Sequence, residues 1–176
     1  MPFTEIRGQR LHYQDTGGAG PAIVFSHGLL MDASMWDAQV KALRGRHRCI
    51  TRDERGHGQT GEASEDFTYE ASVEDLLGLL HSQRESPANL HAIYRALLAR
   101  EDFTPRLSEV DVPALVIWGD RDPAISQDHA RALAEGLPQG RLEIVAGAGH
   151  GVNFTHPDAV NALLEHFLEP VLEGAR

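Results

Sequence analysis

A chain of 176 residues, 41% hydrophobic and 24% charged, can form one α/β domain with a sizeable core and has the composition of an ordinary globular protein. Its formal net charge of -10 argues against a nucleic-acid partner, because phosphate binding requires a basic face. The single cysteine, Cys49, rules out an internal disulfide and suits a reducing, cytoplasmic compartment.

The opening MPFTEIRGQR has no apolar signal core, and no run approaches transmembrane length, so no membrane partner is expected. Phe3–Ile6 and Arg10–Tyr13 alternate in polarity around Gly8, predicting an antiparallel hairpin. After the loop Gly17–Pro21, the apolar run Ala22–Phe25 reads as a buried strand ending at Ser26-His27-Gly28. A helix follows, with Trp36, Val40 and Leu43 on one face and Gly45 as its stop. The basic run Arg44, Arg46, His47, Arg48 reads as a solvated turn. It leads into the strand Arg48–Thr51, where Cys49 is expected to be an inert core thiol.

From Tyr69 to Glu109 only Val73, Ile93 and Thr104 are β-branched, and two helices are predicted. One carries Val73, Leu76, Leu77 and Leu80; the other opens at Ser86-Pro87 and carries Leu90, Ile93, Leu97 and Leu98. Ala114–Trp118 is the next buried strand. Ser126 can cap a helix with Ala130, Leu133 and Leu137 on its inner face. Arg141–Val145 supplies another strand. The last helix has Pro157 near its first turn and a stripe of Val160, Leu163, Leu164, Phe167 and Leu168.

Strands alternating with helices predict a three-layer α/β/α sandwich on a mostly parallel sheet, led by an antiparallel hairpin. The expected organisation is a single domain, 1–176, with an N-terminal sheet half (1–68), a helical connection (69–109) and a C-terminal half (110–176). Ligands of such sheets bind beyond the carboxyl ends of the strands. Those ends carry His27-Gly28, Asp53 with Arg55-Gly56-His57-Gly58, Asp120 with Asp122, and His150.

With these four segments in view, the sequence resembles the α/β-hydrolase superfamily, particularly its small esterases, lactonases and cofactor-free haloperoxidase-type members. VFSHGLLMDASMW resembles the family's oxyanion loop, and RDERGHGQT the turn after its next strand. VPALVIWGDRDPAIS resembles the segment bearing the triad acid, and AGAGHGVNFTHPDAV the loop bearing the triad histidine, in the family's chain order. The resemblance implies a reduced α/β-hydrolase fold acting on a small ester or lactone without a cofactor. In that reading His150 is the general base, because imidazole exchanges protons near neutral pH. Asp122 is the carboxylate that fixes its tautomer, with Asp120 completing the turn. The oxyanion loop maps onto His27, Gly28 and the amide of Leu29. Ser26, just before it, belongs to that loop rather than to the nucleophile. His12, His47, His81, His91, His129, His156 and His166 show no recognised zinc spacing such as His-Glu-x-x-His, so no metal is expected.

The family's nucleophile sits in a G-x-S-x-G elbow, and that pattern occurs nowhere in the chain. His81-Ser82-Gln83 resembles the middle of an elbow, but Leu80 and Arg84 stand where the glycines belong, and the run before Ser82 has helical periodicity. Ser82 is therefore the candidate nucleophile of last resort, with an activated water or an inactive scaffold as the alternatives. An internally shortened sheet would leave Ala22–Phe25 on an open edge. Either Ala114–Trp118 or a second copy in a homodimer is expected to cover it.

Overall fold

The computed structural model describes residues 3–28, 31–60, 74–79 and 104–174, with the main chain alone for 172–174. They fall into two compact units, Met1–Arg100 and Glu101–Arg176. The expected helix over Leu90–Leu98, the elbow-like Ser82 and the oxyanion-loop amide of Leu29 lie outside the described residues.

In the first unit the hairpin forms as β1 (Phe3–Ile6) and β2 (Gln9–Asp15), with Phe3 opposite His12 and Ile6 opposite Gln9. Its turn needs left-handed backbone, which Arg7 (φ 50°) and Gly8 (φ 77°) supply. β3 (Ala22–Ser26) and β4 (Arg48–Arg52) run parallel, with Val24 opposite Ile50, and β2 joins β4 antiparallel. The sheet order is β1-β2-β4-β3. It is thus a mixed sheet. Antiparallel pairing is carried by the N-terminal strands, where β2 continues from the hairpin alongside β4, and the β3–β4 pair is parallel. Among the described residues, β3 has no strand on its outer side.

A 3₁₀ turn (Ala33–Trp36) leads into α1 (Asp37–Leu43). Asp32 caps the turn by accepting from the Ser34 N–H at 2.8 Å. Leu43 is buried, and Trp36 stacks on Phe25 at 5.4 Å between ring centroids. Residues 74–79 form α2, burying Leu76 and Leu79. Leu79 joins Ile6, Leu11 and Ile50 in one core cluster. A Cβ at Gly78 would overlap Ile6, so this glycine lets α2 lie close to the sheet. Asp15 accepts from Arg48 through both oxygens, and that pairing holds its carboxyl below the ordinary carboxylate value. Arg44 and Arg46 stay exposed, as a solvated turn requires. Cys49 is buried in β4, and desolvation pushes its thiol up, away from reactivity.

In the second unit β5 (Ala114–Gly119) and β6 (Gly140–Val145) pair in parallel, with Val116 opposite Leu142. α3 (Gln127–Gly136) connects them, and Ser126 caps it by accepting from the His129 N–H. The inner face of α3 differs from the expected one: Ala130 and Ala134 are buried, whereas Leu133 is 43% exposed. The helix is rotated so that small side chains meet the strands. A short helix α4 (Val152–Thr155) precedes α5 (Pro157–Gly174), which opens on proline as expected and buries Val160.

Candidate active site

Within the second unit, β5 ends in Gly119-Asp120-Arg121-Asp122 and β6 ends in the loop leading to His150. Three hydrogen bonds lace these loops together. Asp120 N–H donates to the Val145 carbonyl at 3.2 Å, Arg121 N–H donates to the Ala148 carbonyl at 2.9 Å, and Gly147 N–H donates to Asp120 Oδ1 at 2.6 Å. Asp120 is thus committed to tying the loops. A Cβ at Gly119 would overlap the Ala148 carbonyl, so glycine is what allows this close approach.

The lacing places His150 Nδ1 2.9 Å from Asp122 Oδ2. The other carboxylate oxygen, Oδ1, accepts the N–H of Ala124 at 2.7 Å and of Ile125 at 3.0 Å. Burial raises the Asp122 carboxyl, but the hydrogen bond from His150 and those from Ile125 and Ala124 outweigh it and hold the group below the ordinary carboxylate value. An ionised carboxylate only accepts, so the proton between them sits on His150 Nδ1. Nε2 then carries the lone pair, on a side chain 62% exposed, while that of Asp122 is 5% exposed. The geometry is that of an oriented base facing outward.

In the first unit the strand ends are equally organised. His27 Nε2 accepts the Glu54 N–H at 2.9 Å, which requires the proton on Nδ1, where it is donated to the Gly28 carbonyl at 2.9 Å. Both ring nitrogens are therefore committed to main chain, and His27 holds the turn instead of offering a donor to a ligand. Among the described residues, a Cβ at Gly28 would meet nothing within 4 Å. Ser26 Oγ donates to Glu54 Oε1 at 2.8 Å, and Arg52 meets the same oxygen at 3.2 Å. Ser26 is thus tied to a carboxylate.

The turn after β4 is a structural hub. Buried Asp53 accepts from Ala33 N–H at 2.7 Å and Gln59 N–H at 2.8 Å, and pairs with His12 Nδ1 at 2.9 Å. A Cβ at Gly58 (φ 50°) would overlap that carboxylate. Arg55 forms a two-pronged pair with Asp75 of α2, which is buried. The His12–Asp53 pair was not legible beforehand, because it joins residues 41 apart through the β2–β4 register. Among the described residues, no group of three or more His, Cys, Asp or Glu side chains could hold a metal ion, and no helix is long and apolar enough to cross a membrane.

Residues 79–157 match the family model described as the alpha/beta hydrolase fold. A non-heme chloroperoxidase-type protein of Synechocystis aligns over 277 positions at 23% identity, taking in 96% of this chain and 100% of its own length. Because both chains are spanned, the excess length of that relative falls in internal gaps. The 3-oxoadipate enol-lactonase 1 of Acinetobacter baylyi is 42% identical over 79 residues, covering 44% of this chain. The chain spans only 29% of that lactonase's length. In structure, the enol-lactonase of Burkholderia xenovorans superposes with a TM-score of 0.79 at 22% identity, over 95% of this chain and 99% of that one. The chain has the alpha/beta hydrolase fold, in a form shorter than that of the Synechocystis relative.

Proposed function

We propose that the chain is a hydrolase of small carboxylic esters or lactones in which His150, oriented by Asp122, takes a proton from an oxygen nucleophile and returns it to the leaving alcohol. The observation that carries this reading is the 2.9 Å His150–Asp122 hydrogen bond, with the opposite ring nitrogen left facing outward. The nucleophile is Ser82 or a water. The oxyanion donor assigned by resemblance is the Leu29 amide, with Gly28 permitting close approach and His27 bracing the turn. Similarity to a named enol-lactonase supports a cyclic or open ester as the substrate class. This route needs no cofactor or metal. A cytoplasmic location and a homodimer closing over the outer edge of β3 complete the proposal.

One observation favours a second reading, an inactive shortened scaffold: no G-x-S-x-G elbow exists in the sequence. Incubation with a small aryl ester separates the two. Hydrolysis above the buffer rate that disappears in His150→Ala supports the enzyme; a further loss in Ser82→Ala identifies the serine, and full retention there assigns water. Hydrolysis that persists unchanged in His150→Ala overturns the assignment. A wild-type chain with no turnover is the scaffold.

A further inference from the structure

Asp122 owes its aim to the turn that follows β5. Its N–H donates to the Gly119 carbonyl at 3.0 Å, and its Oδ1 accepts from Ala124 N–H at 2.7 Å and Ile125 N–H at 3.0 Å, which turns Oδ2 toward His150. Packing does little for this turn, since Ile125 is 42% exposed. The tie is polar. Trp118, next to last in β5, is buried, and its Nε1–H donates to the Ile125 carbonyl at 2.9 Å.

The N–H and C=O of Ile125 belong to the two peptide planes that flank its Cα. One is bonded to the Asp122 carboxylate and the other to the Trp118 indole. With both planes held, the φ and ψ of Ile125 are fixed, and with them the direction of its N–H. The next residue, Ser126, caps α3 by accepting the His129 N–H at 3.3 Å, so the turn is gripped from the strand on one side and from the helix on the other. A buried indole needs an acceptor, whereas an aliphatic side chain would fill a strand interior without one. Here that acceptor belongs to a residue whose own N–H sits on the carboxylate.

We infer that Trp118 is a positioning residue for the His150–Asp122 pair: its indole N–H fixes Ile125, and Ile125 aims the carboxylate. The indole acts through two hydrogen bonds and needs no contact with a substrate. The other titratable groups around the turn are engaged elsewhere or turned to solvent. Asp120 accepts from Gly147 N–H, His129 Nδ1 lies 2.8 Å from Ser126 Oγ, and Arg121 is exposed. Burial raises the Asp122 carboxyl, whereas hydrogen bonds from His150, Ile125 and Ala124 hold it below the ordinary carboxylate value. Freeing Ile125 removes one of the three, so the carboxyl then titrates higher. This role deepens the hydrolase reading and rests on it only for the effect on turnover.

The test compares the whole wild-type protein with Trp118→Phe and with benzothienylalanine at position 118, an isostere that puts sulfur where the indole N–H stands. Two readouts are taken: the Asp122 titration from its side-chain ¹³C shift, and aryl-ester kinetics. With the circular dichroism spectrum unchanged, both variants are expected to titrate Asp122 at a higher pH than wild type and to lose about fivefold in kcat at constant KM. Val160→Ala trims a buried side chain of α5 and is expected to leave the titration where wild type has it. Should Trp118→Phe fail to fold, the isostere carries the test. An upward shift in a protein with no ester turnover would sink the hydrolase reading and uphold the positioning role. Asp122 titrating as in wild type in the isostere, or moving as far in Val160→Ala, overturns the inference.

Discussion

If the chain turns over an aryl ester as proposed, Asp122→Asn is expected to lower its kcat/KM by up to about 10⁴-fold while the chain stays folded. The reason is geometric. Asparagine keeps an Oδ1 that can accept the Ala124 and Ile125 N–H groups, so the turn after β5 survives. Its amide NH₂ then faces His150 Nδ1, where the carboxylate oxygen stood 2.9 Å away. A donor there forces the imidazole proton onto Nε2, and the outward lone pair is lost. The charge that stabilised the imidazolium goes with it. Removing the ring in His150→Ala should cost about as much, and the double variant no more than the worse single one, because the two groups act as a unit. Steady-state kinetics with parallel thermal melts check this. Turnover by Asp122→Asn equal to wild type would remove the pair from the reaction.

Asp53→Ala carries the second large effect, on stability. The Asp53 carboxylate is buried and satisfies two main-chain N–H groups, Ala33 and Gln59, together with the ring of His12. Alanine leaves all three without that partner, the Ala33 N–H and the His12 ring in buried positions and the Gln59 N–H in a part-buried one, and each buried group costs about 1–3 kcal/mol. Some relaxation will recover part of this, and the expected net loss is on the order of 4 kcal/mol. Domains of this size hold only about 5–15 kcal/mol, so the first unit should be largely unfolded by mild urea. Asp53→Asn keeps one accepting oxygen and should cost less. Equilibrium urea unfolding followed by far-ultraviolet circular dichroism measures both, and a loss below about 1 kcal/mol in Asp53→Ala would show that the hub is dispensable.

Much of this was legible in the chain because short-range signals agree with the fold. Alternation set the hairpin around Gly8, apolar runs set β3, β4 and β5, and Ser126 and Pro157 marked helix starts that the structure reproduces. His150 and Asp122 were singled out because the strand-end segments that carry them resemble the family's histidine- and acid-bearing loops, and the structure brings the two side chains within hydrogen-bond reach. What escaped is what depends on long-range register or on rotation about an axis. The His12–Asp53 pair exists only once β2 lies against β4. The helical pattern of α3 permitted either Leu133 or Ala134 to face inward, and close packing on the strands selected the alanine. Histidine tautomers are likewise invisible in sequence. His27 was expected at the substrate, but its two hydrogen bonds hold it on the main chain.

The most direct check on the reading of the site is the protonation pattern of the His150 ring, read from its ¹⁵N chemical shifts at neutral pH. With Asp122 as an ionised partner, the proton belongs on Nδ1 and Nε2 stays bare, and the pattern should reverse in Asp122→Asn. A wild-type ring protonated on Nε2, or one insensitive to Asp122→Asn, would contradict the reading.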